Sequence, residues 1–168
     1  STIVDVSGDV PCLFKTGSIT LGMLRDVLGE VTVDKAVVTK LSAGELPKAP
    51  GMKYTHYSPS ADVVIVRGNV DNTVSKITEL AEKSKAEGYR TGIIATEETK
   101  DRYQGFEVLV IGSRQHPETI AANLFKMLRK CDYHNIQKVY AEGFEETELG
   151  LAIMNRLKKA AGYSIIDV

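Results

Sequence analysis

From Ala61 onward the apolar positions of the chain switch back and forth between two periods. Val63-Val64-Ile65-Val66 is an unbroken apolar run of strand length, the pattern of a strand covered on both faces of a parallel sheet. Over residues 72–87, Val74, Ile77, Leu80 and Ala81 recur at helical spacing, and Gly88 supplies a stop. Residues 91–95 predict a second strand, a short helix starts near Glu97, and residues 107–111 predict a third strand. Pro117 suits the first turn of a helix running to about Cys131, with Ile120, Leu124, Met127 and Leu128 facing inward. Residues 138–141 give a fourth strand, residues 148–161 a helix closed by Gly162, and residues 163–166 a fifth strand. Strand and helix in this rhythm imply right-handed crossovers. The expected fold of residues 61–168 is a Rossmann-like α/β domain, a mostly parallel sheet with helices on both faces, its strand order left open.

The first sixty residues have a different texture. Ser1-Thr2-Ile3-Val4-Asp5-Val6 is a β-branched run that reads as a strand already under way, so the expectation is a piece of a longer protein. A turn at Gly8-Asp9, a short strand over 10–14 and a helix over 20–28 follow; Thr20 is its N-cap, Gly29 its stop, and Leu21, Leu24, Val27 and Leu28 its apolar stripe. Residues 1–31 are too few to bury a core of their own and are expected to pack on a part that the sequence lacks. Residues 31–38 predict a strand. Residues 32–60 as a whole read as a connector, because Gly44, Pro47 and Pro50 oppose regular structure. Its last part, Ala49-Pro50-Gly51-Met52-Lys53-Tyr54-Thr55-His56-Tyr57-Ser58-Pro59, is unlike a spacer: two prolines hold an extended path while a lysine, a histidine and two tyrosines lie between them.

Composition narrows the class without naming a function. With 43% hydrophobic and 26% charged residues, the chain is that of a globular protein. A formal net charge of −1 gives no overall drive toward nucleic acid or a membrane surface. Cys12 and Cys131 stand far apart, which indicates neither a metal cluster nor a disulfide framework and fits two free thiols in a cytoplasmic protein. No apolar run reaches the roughly 18 residues that span a bilayer.

In a parallel sheet ligands gather at the carboxyl ends of the strands. Those ends carry Arg67-Gly68, Thr96-Glu97-Glu98, Gly112-Ser113-Arg114-Gln115-His116 and Glu142-Gly143. The 112–116 loop leads into a helix N-terminus that could hold an anion, although neither GxGxxG nor GxxxxGK[ST] occurs, and a loop without a ligand is the better reading. His116 and His134 lack an acid or thiol partner in sequence. Glu142, Glu145, Glu146 and Glu148 form an acidic run that a helix start explains better than a metal does. Asn155 and Arg156 are unusual inside a helix, and a structural hydrogen bond is the simpler account of them. In the first segment, Ser1, Thr2 and Asp5 with Lys15 combine hydroxyls, a carboxylate and a cation, of which hydroxyls and cation suit a phosphate.

Three stretches together resemble a known family. Ser1-Thr2-Ile3-Val4-Asp5 and Leu13-Phe14-Lys15-Thr16-Gly17-Ser18-Ile19-Thr20 are similar to the end of the YrdC-like domain, which reads S-T-[IV]-[VI]-D and later [IL]-L-R-P-G-x-[IV]-T. The 49–59 stretch resembles the linker, and residues 149–161 the end of the C-terminal domain, of the Sua5-type threonylcarbamoyl-AMP synthases of the Sua5/YrdC-YciO family. The resemblance implies three regions: residues 1–31 as the end of a YrdC-like catalytic domain, 32–60 as the linker, and 61–168 as the C-terminal Rossmann-like domain. It implies a parent enzyme, a nucleotidyltransferase, that joins L-threonine, bicarbonate and ATP, with Mg²⁺, into threonylcarbamoyl-AMP and pyrophosphate. That product passes to the tRNA-modifying transferase machinery that makes t6A, which leaves an RNA contact and the oligomeric state open. Most of the catalytic pocket would lie upstream of Ser1, so no catalytic residue and no metal ligand is expected in this chain, which alone would be inactive. Ser1 and Thr2 would be nucleotide-binding hydroxyls. Lys15 stands where the family has a phosphate-binding Arg, keeping the charge and losing the bidentate fork, and Thr16 stands where it has Pro. Lys53, Tyr54, His56 and Tyr57 would belong to a lid that helps close the pocket. The alternatives are a free-standing nucleotide- or protein-binding module without catalysis, or an oligomerisation domain.

Overall fold

A computed structural model describes residues 1–50, 52 and 58–168. Strands β1 (Ile3–Asp5) and β2 (Cys12–Lys15) pair antiparallel, and β3 (Thr32–Val33) adds to β2 in parallel. Helix α1 (Leu21–Leu28) lies between β2 and β3; the Thr20 hydroxyl accepts from the Met23 N–H and caps it, and Gly29 ends it at a positive φ of 79°. Residues 31–38 are a correction to the single strand expected from sequence. After the two residues of β3, the Asp34 carboxylate accepts from the Ala36 N–H and starts a short helix, α2 (Lys35–Val38). A local side-chain cap outweighs the β propensity of Val37 and Val38.

The second sheet has five strands: β4 (Asp62–Arg67), β5 (Thr91–Thr96), β6 (Glu107–Gly112), β7 (Lys138–Glu142) and β8 (Ile165–Asp167). All pairings are parallel and the order is β6-β5-β7-β4-β8. Helix α3 (Val70–Ala86) covers one face, where Val74, Ile77 and Ala81 meet Val66, Ile93 and Ala95. Helices α4 (Pro117–Tyr133) and α5 (Leu149–Ala160) cover the other, where Ile120, Leu124, Ile153 and Leu157 meet Val63, Ile65 and Val139. Residues 63, 65 and 66 therefore divide between faces as strand alternation requires. The expected α/β fold, a mostly parallel five-stranded sheet with helices on both faces, is the one found. The helix expected near Glu97 is a single 3₁₀ turn, Lys100–Arg102. Among the described residues, no helix is long and apolar enough to cross a membrane.

The first segment does not stand alone. Leu13, Val31 and Val37 bury against Leu151 of α5, so α5 supplies cover that the sequence alone did not reveal. Asn155 Nδ2 donates to the Val37 carbonyl and Lys158 Nζ to the Val38 carbonyl at 3.3 Å, while Lys158 also pairs with Glu146. Asn155 is thus a structural hydrogen-bond donor at this seam. Part of the α1 surface stays open: Val27 is 84% exposed, and Met23 and Ile19 are exposed beside it.

Candidate functional site

Strands β4 and β7 are neighbours, but β4 continues into α3 on one face and β7 into α5 on the other. Loops that part in opposite directions leave a crevice at the carboxyl ends of the two strands, where ligands of open α/β sheets bind. A cleft of about 720 Å³ occupies that place, with Arg67, Gly68, Arg114, Gly143, Phe144 and Glu148 among its lining. The helix N-termini at Val70, Pro117 and Leu149 border it as well.

The two arginines of the cleft are each paired with a carboxylate of the protein. Arg67 donates to Asp167 at 2.8 Å and to Glu146 at 3.1 Å. Arg114 donates to Glu142 at 2.8 Å, and its guanidinium lies 4.9 Å from the centre of the Phe144 ring. Glu142 is 1% exposed and is the hub of a buried network: it accepts from Thr96 at 3.1 Å, from Tyr103 at 2.7 Å, from Thr99 and from Arg114. Burial pushes the Tyr103 phenol far up, and the adjacent Glu142 charge pushes it further, so the hydroxyl stays protonated and donates. The sequence placed Glu142 at a strand end and also counted it among the helix-start acids; it closes β7, and Thr96, Thr99 and Tyr103, spaced three and four apart, are the signal that it needed partners. Glu148 sits at the N-cap of α5 with φ 46° and makes no side-chain cap; its carboxylate accepts from the Thr20 hydroxyl at 2.8 Å, linking the cleft wall to the start of α1. A non-glycine residue in that region is strained by about 1–3 kcal/mol and is held by its surroundings.

The 112–116 loop does hold an anion, and the anion is internal. The Glu98 carboxylate accepts from the Ser113 hydroxyl at 2.6 Å and from the Arg114 N–H at 3.0 Å. Burial raises the Glu98 carboxyl, but the Ser113 hydroxyl and the N–H groups of Arg114, Glu98 and Gln115 outweigh it and bring it down to about 2 from an ordinary 4.5. Because the folded value lies below the unfolded one, the stabilisation is complete above about pH 4.5 and disappears as pH falls toward 2. The expected result is that Glu98→Gln lowers the thermal midpoint at pH 6 and leaves it nearly unchanged at pH 2; equal losses at both pH values would contradict this. His134 pairs with Glu107, and His116 lies 3.3 Å from Glu118. Among the described residues, no group of three or more His, Cys, Asp or Glu side chains could hold a metal ion.

In the first segment the register pairs Ile3 with Lys15. Gly17 lies so close to Thr2 that a Cβ there would sit 2.5 Å from the Thr2 nitrogen. Ser1, Thr2 and Lys15 therefore share one end of the small sheet, and the Thr2 hydroxyl donates to the Ile19 carbonyl at 2.9 Å. Thr16 is 6% exposed, and its buried hydroxyl has no hydrogen-bond partner among the described residues. A second cavity, about 480 Å³, lies between residues 40–45, Met52 and the end of α5 at Lys159 and Tyr163. Lys53, Tyr54, His56 and Tyr57 lie outside the described residues.

Comparison with known proteins gives a consistent set of likenesses. The profile of the family described as threonylcarbamoyl-AMP synthase, C-terminal domain, matches residues 19–162. The curated threonylcarbamoyl-AMP synthase of Pyrococcus abyssi is 44% identical over 168 residues, 100% of this chain and 47% of that protein. That of Bacillus subtilis is 39% identical over 166 residues, 99% of this chain and 46% of that protein. The chain thus spans about half the length of the curated relatives it matches. Among solved structures, P. abyssi Sua5 complexed with L-threonine superposes with a TM-score of 0.87 at 43% identity, over 100% of this chain and 47% of that one. A variant of the same protein, with a consecutive His and Tyr both changed to Ala, gives 0.88 at 42% identity, over 100% of this chain and 46% of that one. The C-terminal Sua5 domain of Pyrococcus horikoshii, 40% identical, covers 66% of this chain and 100% of its own length, with a TM-score of 0.54.

Proposed function

We propose, from the fact that this chain belongs to the threonylcarbamoyl-AMP synthase family through its C-terminal domain, that it serves the synthesis of threonylcarbamoyl-AMP. In this reaction the threonine amine and bicarbonate give N-carboxythreonine with loss of water; a carbamate oxygen then bonds to the α-phosphorus of ATP as the bond from that phosphorus to the bridging oxygen breaks and pyrophosphate leaves. Protein groups then have two tasks, orientation of the carbamate oxygen and neutralisation of phosphate charge. The observation that carries the proposal is an alignment spanning the whole chain, 44% identical to the threonylcarbamoyl-AMP synthase of P. abyssi, together with the likeness in fold to P. abyssi Sua5 at a TM-score of 0.87.

The proposal gives residues 1–31 to the end of a catalytic domain, 32–60 to a linker and 61–168 to an accessory domain. Ser1, Thr2 and Lys15 are assigned to the nucleotide phosphates; their shared position at one end of the small sheet supports this. Mg²⁺ would enter with ATP as the counterion of its phosphates. His56-Tyr57 is the one consecutive His-Tyr pair in this chain, which supports its assignment, with Lys53 and Tyr54, to substrate handling. The product would pass to a tRNA-modifying transferase in the cytoplasm. One observation favours a second role for the Rossmann-like domain, ligand binding of its own: the cleft at the switch between β4 and β7.

The test compares residues 1–168 with the chain extended to the length of its relatives, each given L-threonine, bicarbonate, ATP and Mg²⁺. Threonine-dependent pyrophosphate release by the longer protein and none by residues 1–168 is the expected result; turnover by residues 1–168 alone overturns it. In the longer protein, changing both His56 and Tyr57 to Ala is expected to lower kcat/KM at least tenfold, as loss of about 1.4 kcal/mol of transition-state stabilisation would. Unchanged kinetics would remove the pair from substrate handling.

A further inference from the structure

A short chain of contacts runs from the start of α5 to the residues assigned to the nucleotide. Glu148 belongs to the turn between β7 and α5, and its carboxylate accepts from the Thr20 hydroxyl at 2.8 Å. The same Thr20 oxygen accepts from the Met23 N–H at 3.2 Å and caps α1. One residue earlier, the Ile19 carbonyl accepts from the Thr2 hydroxyl at 2.9 Å, and Gly17 closes on the Thr2 backbone. The 16–20 loop is therefore held by Thr2 on one side and by Glu148 on the other, and Lys15 leads into it.

Two local features fit this contact and are otherwise unfavourable. The first turn of α1, Leu21-Gly22-Met23-Leu24, holds no acidic residue, and Glu148 brings from the other domain the negative charge that a helix N-terminus favours. Gly22 makes the room for it: a Cβ there would lie 2.5 Å from a Glu148 carboxylate oxygen. Glycine weakens a helix, so its presence in that turn is costly unless the space is used. Glu148 shows the reverse choice. At φ 46° and ψ −123° its backbone suits glycine, yet a carboxylate is kept there under strain. Glycine stands where the carboxylate needs space, and glutamate stands where glycine would be easier.

We propose that Glu148 is a positioning residue: from the Rossmann-like domain it fixes the 16–20 loop, and with it Thr2 and Lys15, for the nucleotide phosphates. It acts through Thr20 and not on the substrate. The proposal rests on the nucleotide reading of Thr2 and Lys15 above and gives the second domain a part in it.

Three substitutions test the contact while sparing the fold. Glu148→Gly removes the carboxylate and eases the strained backbone. Gly22→Ala raises the helix propensity of α1, and its methyl pushes the carboxylate, the free end of a side chain, away from Thr20. Glu148→Gln keeps one acceptor oxygen. Thermal midpoints of the first two are expected to be no lower than that of the unmodified chain. In the chain extended to the length of its relatives, each should raise the KM for ATP about three- to tenfold, as one hydrogen bond implies, and leave kcat within about twofold. Glu148→Gln is expected to fall between. A merely structural role would lower kcat through the folded fraction and leave KM in place. In residues 1–168, amide exchange over 16–20 should quicken about three- to tenfold in Glu148→Gly and Gly22→Ala, with β4–β8 unchanged. Exchange unchanged over 16–20 in both variants overturns the proposal. Faster exchange beside an unmoved KM for ATP overturns the nucleotide reading of Thr2 and Lys15 instead, so the two fail separately.

Discussion

Glu142→Ala is expected to lower the unfolding free energy by about 3 kcal/mol, the low end for breaking a buried ion pair. The removed carboxylate is the acceptor for Thr96, Thr99, Tyr103 and Arg114 at once. Three buried hydroxyls lose an acceptor, and each orphaned group costs about 1–3 kcal/mol when water cannot replace it. The Arg114 side chain is 24% exposed, so solvent relieves part of the loss, which sets the estimate low. Chemical denaturation measures it as a lower midpoint at an unchanged slope. Glu142→Gln keeps the shape and one acceptor oxygen and should lose less than Ala. A midpoint unmoved by Glu142→Ala would mean that the network adds nothing net.

Asn155→Leu acts at the seam. Asn155 is 6% exposed, and the substitution leaves the Val37 carbonyl without its donor while retaining bulk. About 1–3 kcal/mol is lost, and the location of the loss is the diagnostic. Amide exchange should speed up roughly tenfold or more in β1–β3 and α1, as that free energy implies, while β4–β8 keep their protection. Acceleration spread evenly through both sheets would show that the first segment and the five-stranded sheet open as one unit, against this expectation.

The elements of the five-stranded sheet were legible because each apolar run and each helical stripe is a local pattern. Their order was not. Nothing in the run of Val63 to Val66 says that its neighbours are β7 and β8, since that pairing is settled by where the helices cross. The 31–38 segment misread for a related reason: Val37 and Val38 favour a strand, and a single carboxylate at Asp34 reverses the outcome. The oddity of Asn155 was visible, but not its partner, which lies 118 residues earlier. Glu142 hid among other acids because burial, not identity, distinguishes it. Ser1, Thr2 and Lys15, grouped in the sequence by their chemistry, lie at one end of the small sheet, which the antiparallel register of β1 and β2 brings about.

Strand order has a consequence for how the chain is made. β4 leads the five-stranded sheet in sequence, yet its partners arrive late: Asp62 meets Lys138 across 76 residues and Arg67 meets Asp167 across 100. On a ribosome, β4 and its apolar run Val63 to Val66 therefore wait with both edges open until β7 has been made, and with one edge open until β8 follows. An unpaired apolar strand is a template for pairing with other chains. β5, β6 and α4, contiguous in sequence, can form first and shelter one side. Loss of residues 165–168, three of which are β8, would leave β4 as a permanent edge, so nascent or truncated chains should aggregate well before the mature fold shows any weakness.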